Sequence, residues 1–192
     1  MKNVLSRPKH FLRQYFRDRV KSLPAGQKRR EALAVARRVA SLPVFRQART
    51  VALYRSLPHE MDVAALWVLC RHDRKTVVLP RADIETKRLT FFEWTPASLF
   101  ELNPYGILEP SAERSRQVPA SDLDLLVVPG AAFTPRGERL GSGGGFYDRF
   151  LAEWNIPTLA PAHLCQMATR LPLEKHDRPL SFIATPEAIH RR

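Results

Sequence analysis

DLLVVPGAAFTPRGERLGSGGGFYDRF, Asp124–Phe150, is the stretch on which the reading of the fold turns. The apolar run from Leu125 to Val128, bounded by Asp124 and by Pro129-Gly130, has the length and composition of a buried strand. At the other end, Phe146, Phe150 and Leu151 recur at helical spacing. Between them, positions 141, 143, 144 and 145 hold four of the chain's eight glycines. Gly141, Gly143, Gly144 and Gly145 permit positive φ and leave no Cβ to block approach, so successive N–H groups can converge on an anion at the positive end of the helix. The pattern alone leaves two readings, a structural turn or an anion cradle, because it fits neither the P-loop nor the GxGxxG fingerprint.

Outward from this stretch, TVALY (Thr50–Tyr54) reads as a strand, SLPHE as a turn, and the segment carrying Val63, Leu66, Trp67 and Cys70 as a helix, before a further strand, TVVLP, from Thr76. Strand, helix, strand is a crossover unit, and near-continuous apolar strands suit a parallel sheet covered on both faces. An α/β layered fold is expected. LTFFEW (Leu89–Trp94) adds an antiparallel member, while NPYGILEP and SAERSRQVPAS read as loops. TLAPAHL, from Thr158, reads as a late strand that Pro161 confines to an edge or a bulge. The N-terminal quarter is helical. One helix opens at Pro8, with Ser6 as a possible cap, and runs to about Lys21. A second spans about Gln27 to Ala40, turns Leu33, Ala36, Val39 and Ala40 to one side, and has Pro43 beyond its end. No repeat or linker divides the chain, so residues 1–192 are expected to form a single domain.

The net charge of +12, from 31 basic and 19 acidic residues, favours anionic partners. No helix-turn-helix, zinc-finger or RNA-recognition signature accompanies it, so no specific nucleic-acid partner is expected. No apolar stretch approaches the ~20 residues that span a bilayer, and the N-terminus lacks the apolar centre of a signal peptide, which predicts a cytoplasmic protein with no membrane association. Cys70 and Cys165 form no CxxC pattern and are expected to be buried thiols. His59, His163 and His176 have no metal-ligand spacing, and no GxSxG or HExxH motif is present.

Several side chains carry a double reading. Lys9 and Arg13, four apart on one helical face, either reach together towards a polyphosphate or are simply solvated. Asp148 sits in the first turn of its helix, as a helix-end charge or as a magnesium ligand beside phosphates, with Asp177 in EKHDRPL as a possible second. Glu60 lies at the turn after a strand, where open α/β sheets bind ligands and where carboxylates also cap helices.

Taken in order, PKHFLR, ALYRSLPHEMD, FFEW, YGILEP, VVPGAAFTPRGERLGSGGGFYDRFL and CQMATRLPLEKHD resemble the 5-formyltetrahydrofolate cyclo-ligase family, also called methenyltetrahydrofolate synthetases, over nearly the whole chain. The resemblance implies a Rossmann-like three-layer fold with a mostly parallel central sheet and N-terminal helices. It further implies conversion of 5-formyltetrahydrofolate, with or without a polyglutamate tail, to 5,10-methenyltetrahydrofolate, dependent on ATP and Mg2+. By position, Lys9 and Arg13 resemble the family's N-terminal phosphate contacts. Arg139, Leu140, Gly141, Ser142, Gly143, Gly144, Gly145, Phe146 and Tyr147 resemble its nucleotide loop, and the part from Ser142 to Phe146 is shared with the folate. Arg55 and Glu60 fall at folate positions, Asp148 and Asp177 at metal positions. Lys9, Arg13, Glu60 and Tyr147 are the expected catalytic set, in a monomer. Ser142 stands where many relatives carry arginine, and Phe146 replaces the first of the usual two tyrosines. Ser181 and Pro186 stand where acidic residues are common. The competing classes are a basic nucleic-acid-binding protein without activity and a ligand-binding relative that has lost turnover.

Overall fold

The computed structural model describes residues 7–175 and 177–192; Ser6, expected as a helix cap, and His176 lie outside the described residues. The elements in chain order are α1 (Lys9–Lys21), α2 (Ala25–Ser41), α3 (Pro43–Gln47), β1 (Thr50–Ala52), α4 (Ala64–His72), β2 (Thr76–Asp83), β3 (Arg88–Glu93), β4 (Phe100–Leu102), β5 (Leu108–Pro110), β6 (Gln117–Val118), β7 (Leu125–Val127), β8 (Ala132–Phe133), β9 (Arg139–Leu140), α5 (Phe146–Glu153), β10 (Thr158–Pro161), β11 (Phe182–Ala184) and β12 (Ile189–Arg191).

Eight strands form one sheet in the order β12-β11-β10-β7-β1-β2-β3-β6. From β11 through β2 all neighbours are parallel, and β12, β3 and β6 close the two ends antiparallel. The chain starts this sheet at β1, steps to β2 on one side, and later resumes at β7 on the other. The direction of strand addition thus reverses between β1 and β7, which leaves a crevice at their carboxyl ends.

Neighbouring residues of each strand point to opposite faces. Val51, Leu53, Val77, Leu125 and Val127 pack with Val35 and Val39 of α2 and Leu66 and Cys70 of α4. The alternate set, Ala52, Val78, Leu126 and Val128, packs with Phe91 and with Phe150 of α5. Both faces are covered, which is why these strands read as unbroken apolar runs. α1 does not lie on this sheet: Leu12 and Phe16 bury themselves against Ala131, Ala132, Leu140, Ala168 and Leu171, around the β8–β9 hairpin. No helix among the described residues is long and apolar enough to cross a membrane.

Three local expectations are corrected. β10 is an interior strand between β7 and β11, buried throughout; Pro161 is tolerated because it is the last strand residue, and the next N–H, from Ala162, makes the bond to the Ala184 carbonyl at 2.8 Å. The two segments read as loops contain β5, which pairs with β4 just before them, and the edge strand β6, whose three- and two-residue lengths are too short to show alternation. Pro43 lies beyond the end of α2, as expected, and opens the short helix α3. Leu33 is 42% exposed, because the inner face of α2 is instead Ala32, Val35, Ala36 and Val39 with Glu31, whose carboxylate meets the buried His163 ring at 2.7 Å.

Since Phe16 fills the space between α1 and the hairpin, Phe16→Ala should cost about 3–5 kcal/mol in urea unfolding, while Phe11→Ala on the exposed side of the same helix should stay within about 0.5 kcal/mol of wild type.

Candidate active site

A cavity of about 1360 Å³ opens at the carboxyl ends of β1, β2 and β7, and Lys9, Arg13, Arg55, Glu60, Asp177 and the whole run from Arg139 to Asp148 lie along it. Every site residue singled out from the sequence is therefore brought to one crevice, although residues 9, 60, 140 and 177 are far apart along the chain. Its volume exceeds the ~300–1,000 Å³ of an ordinary small-molecule pocket, which leaves room for two ligands.

The glycine loop leaves β9 at Leu140, whose side chain is core and 2% exposed, so this residue offers the cavity only backbone. Gly143 (φ +110) and Gly145 (φ +73) occupy conformations that side chains rarely adopt, and Gly145 is the N-cap of α5. Gly141 and Gly144 are required for closeness instead: a Cβ would stand 2.5 Å from the Arg139 guanidinium and 2.5 Å from the Phe146 ring, respectively. Arg13 donates through Nε to the Gly141 carbonyl at 2.9 Å, tying α1 to the loop. The Phe146 ring has the Lys87 ammonium 5.5 Å from its centroid.

Two cations of the site, Arg139 and Lys9, are ion-paired. Arg139, its side chain only 4% exposed, donates Nη2 to Asp148 Oδ2 at 2.8 Å, and the Arg178 N–H reaches Asp148 Oδ1 at 3.3 Å. Lys9 Nζ lies 2.8 Å from Asp177 Oδ2 and 3.0 Å from Glu174 Oε1. Burial disfavours the Lys9 ammonium, but the hydrogen bonds and charges of Asp177 and Glu174 outweigh it and hold its pKa above the ordinary lysine value. The two carboxylates expected to meet magnesium thus each neutralise a cation. Among the described residues no group of three or more His, Cys, Asp or Glu side chains is arranged as a metal cage. Two carboxylates facing the cavity of a glycine loop instead fit an ion that arrives on phosphate oxygens and takes one or two protein ligands.

Glu60 is 9% exposed and accepts the Leu57 N–H at 3.0 Å, so it closes its own turn as well as facing the cavity. Burial raises its pKa, with the Leu57 bond and the Arg17 charge acting in opposition. Burial and the Glu60 charge also push Tyr147 upward, keeping its phenol neutral. Arg55 rests its guanidinium 4.8 Å over the Phe100 ring, at the β4 side of the crevice.

Sequence reasoning missed Tyr54, Arg17, His59, Lys87 and Glu109, which also line the cavity. Arg17 was legible as the next member of the Lys9, Arg13 spacing. Glu109 stands in the sequence reading only within the segment YGILEP; its Oε1 accepts from Asn103 Nδ2 at 2.9 Å and the Ala82 N–H at 3.2 Å, joining the β4–β5 hairpin to β2.

If Asp148 is removed, the Arg139 guanidinium is left buried and unpaired. Asp148→Ala should cost about 3–5 kcal/mol in urea unfolding and Asp148→Asn less, because the amide oxygen still accepts. Glu60 gives a pH signature. Its folded pKa lies above the unfolded value, so the native state binds this proton more tightly and stability falls as pH rises from the unfolded value through the folded one. Glu60→Gln lacks that loss and should gain stability relative to wild type as pH rises above the ordinary glutamate range, as followed by urea midpoints.

Residues 6–186 match the family model described as the 5-formyltetrahydrofolate cyclo-ligase family. The 5-formyltetrahydrofolate cyclo-ligase of Escherichia coli (strain K12) is 34% identical over 177 residues, covering 90% of this chain and 97% of that protein. The 5-formyltetrahydrofolate cyclo-ligase of Haemophilus influenzae is 35% identical over 176 residues, covering 88% and 94%. The solved 5,10-methenyltetrahydrofolate synthetase of Aquifex aeolicus superposes with a TM-score of 0.82 at 30% identity, covering 95% of this chain and 92% of the other. That of Mycoplasma pneumoniae, at 19% identity and a TM-score of 0.76 over 94% and 99%, shares the fold.

Proposed function

This chain belongs to the 5-formyltetrahydrofolate cyclo-ligase family, and from that premise we propose that it converts 5-formyltetrahydrofolate and ATP to 5,10-methenyltetrahydrofolate, ADP and phosphate, with magnesium. The observation that carries the reading is the opening of the glycine loop and of the Arg55–Glu60 turn onto one cavity large enough for a nucleotide and a second ligand.

The formamide oxygen of the substrate is a poor leaving group, and the reaction solves this by phosphorylating it. The formyl oxygen attacks the γ-phosphorus as the bond to the bridging oxygen of ADP breaks, giving an imidoyl phosphate. N10 then attacks the formyl carbon and loses its proton, the C–O bond to phosphate breaks, and phosphate departs with the former formyl oxygen. Such a transfer depends on alignment and on stabilising charge, and requires no covalent enzyme nucleophile.

The chain's own groups have definite tasks in this scheme. The N–H groups of residues 141–145 hold phosphate oxygens, and Lys9 and Arg13 exchange their present acceptors for phosphate when nucleotide arrives. Arg139, locked to Asp148, keeps the loop in shape. A magnesium ion on the nucleotide neutralises phosphate charge, and Asp148 and Asp177 are the carboxylates that would hold it. Glu60 orients the pterin or N10 by hydrogen bonding, Tyr147 donates from its neutral phenol, and Arg55 with the Ser142–Phe146 face of the loop completes the folate side. A cytoplasmic monomer without a nucleic-acid partner fits this chemistry.

Purified protein mixed with 5-formyltetrahydrofolate, ATP and magnesium should develop the absorbance of the methenyl product, and omitting ATP should abolish it; no product with all three present would refute the assignment. Lys9→Ala should lower kcat/KM by at least about tenfold. Gly144→Val, which drives a side chain towards the Phe146 ring, should lose ATP affinity before folate affinity in equilibrium titrations.

A further inference from the structure

Lys9, Arg13 and Arg17 stand four residues apart along α1, and all three line the cavity. At ~1.5 Å per residue this cationic stripe extends ~12 Å along the wall, from the glycine loop towards Glu60. The first two members have protein acceptors, Asp177 with Glu174 and the Gly141 carbonyl. Arg17 differs: its Nε is buried without a hydrogen-bond partner, and it enters no ion pair among the described residues. His59, on the turn facing it, also has its Nε2 buried without a partner. The Arg17 charge acts on both His59 and Glu60, so the guanidinium stands within electrostatic reach of the two.

We propose that Arg17 and His59 form a second anion subsite, at the Glu60 end of the cavity and separate from the glycine loop, that receives an oxyanion of a bound substrate. Buried polar atoms are ordinarily satisfied, and here Arg17 Nε and His59 Nε2 belong to residues that border the same large cavity, while no acceptor among the described residues serves either. Arg17 supplies a fixed guanidinium fork suited to carboxylate or phosphate oxygens. Burial, together with the charges of Arg17 and Lys21, holds His59 below the ordinary histidine pKa, so near neutrality it offers a single ring N–H beside the arginine rather than a second cation. This subsite rests on the functional reading above. Two sources carry the required chemistry: a phosphoryl oxygen of the nucleotide or released phosphate, and a carboxylate of the glutamate moiety of the folate.

The test is steady-state kinetics of Arg17→Ala, Arg17→Lys and His59→Ala, with inhibition by inorganic phosphate measured in parallel and with the formylated pteroate lacking glutamate as a second substrate. Arg17→Ala should raise the KM for one substrate by at least about tenfold while its melting temperature stays close to wild type, and Arg17→Lys should recover part of the loss. A rise confined to 5-formyltetrahydrofolate, absent with the pteroate, assigns the subsite to a carboxylate. A rise in the ATP KM accompanied by weaker phosphate inhibition assigns it to phosphate. Both KM values and the phosphate inhibition constant within twofold of wild type in folded Arg17→Ala and His59→Ala would overturn the proposal, whereas a wild-type protein without turnover would refute the functional reading itself.

Discussion

The site is organised by one buried ion pair. Arg139 opens β9 and Asp148 lies in the first turn of α5, and their 2.8 Å contact spans the glycine loop between them. A loop of glycines has many accessible backbone conformations, and confining both of its ends lowers the entropy it must lose to meet a ligand. The pair is shielded from solvent, with 4% and 15% side-chain exposure, so its attraction is screened far less than that of a surface pair, and loss of either partner strands a charge. The contact ties the first turn of α5 to β9 across the glycine loop.

The cationic side of the crevice depends on apolar packing elsewhere. Leu12 and Phe16 fix α1 against the β8–β9 hairpin, and only because that face is anchored do Lys9, Arg13 and Arg17 hang over the cavity. Lys9 and Arg13 are already hydrogen-bonded to Asp177 and Gly141, so their long side chains have surrendered much of their rotamer freedom before any anion binds. Under the proposed function, binding would exchange one set of acceptors for another in a positioned site. The same bonds connect α1, the glycine loop and the segment at Asp177 into one unit around the crevice.

Much of the fold could be read from composition and period. The apolar runs at β1, β2 and β7 announced a sheet covered on both faces, and the strand, helix, strand order announced parallel pairing. What escaped was short or context-bound. β4, β5, β6, β8 and β9 have two or three residues each, too few for a period of two to register. Pro161 argued for an edge by its missing N–H, yet the end of an interior strand accommodates it. On α2 the inner face is Ala32, Val35, Ala36 and Val39 and Leu33 is left exposed, while Glu31 on the buried side meets a histidine 132 residues away, a pairing that no local periodicity encodes. For the site, residue types and order identified the glycine loop and its flanking charges, while Glu109 and His59 owe their place to the folding back of the β4–β5 hairpin and of the turn after β1.

By itself the sequence determined the layering and marked where a ligand could approach: glycine density leaves backbone uncovered, and apolar period specifies which segments must be buried, both properties of adjacent residues. Tertiary structure alone decided who partners whom. Whether Asp148 faces Arg139, whether Lys9 meets Asp177, and whether Arg17 is left with an unanswered donor depend on distances between segments up to 168 residues apart, which are set by the packing of α1 and the sheet and not by any local pattern.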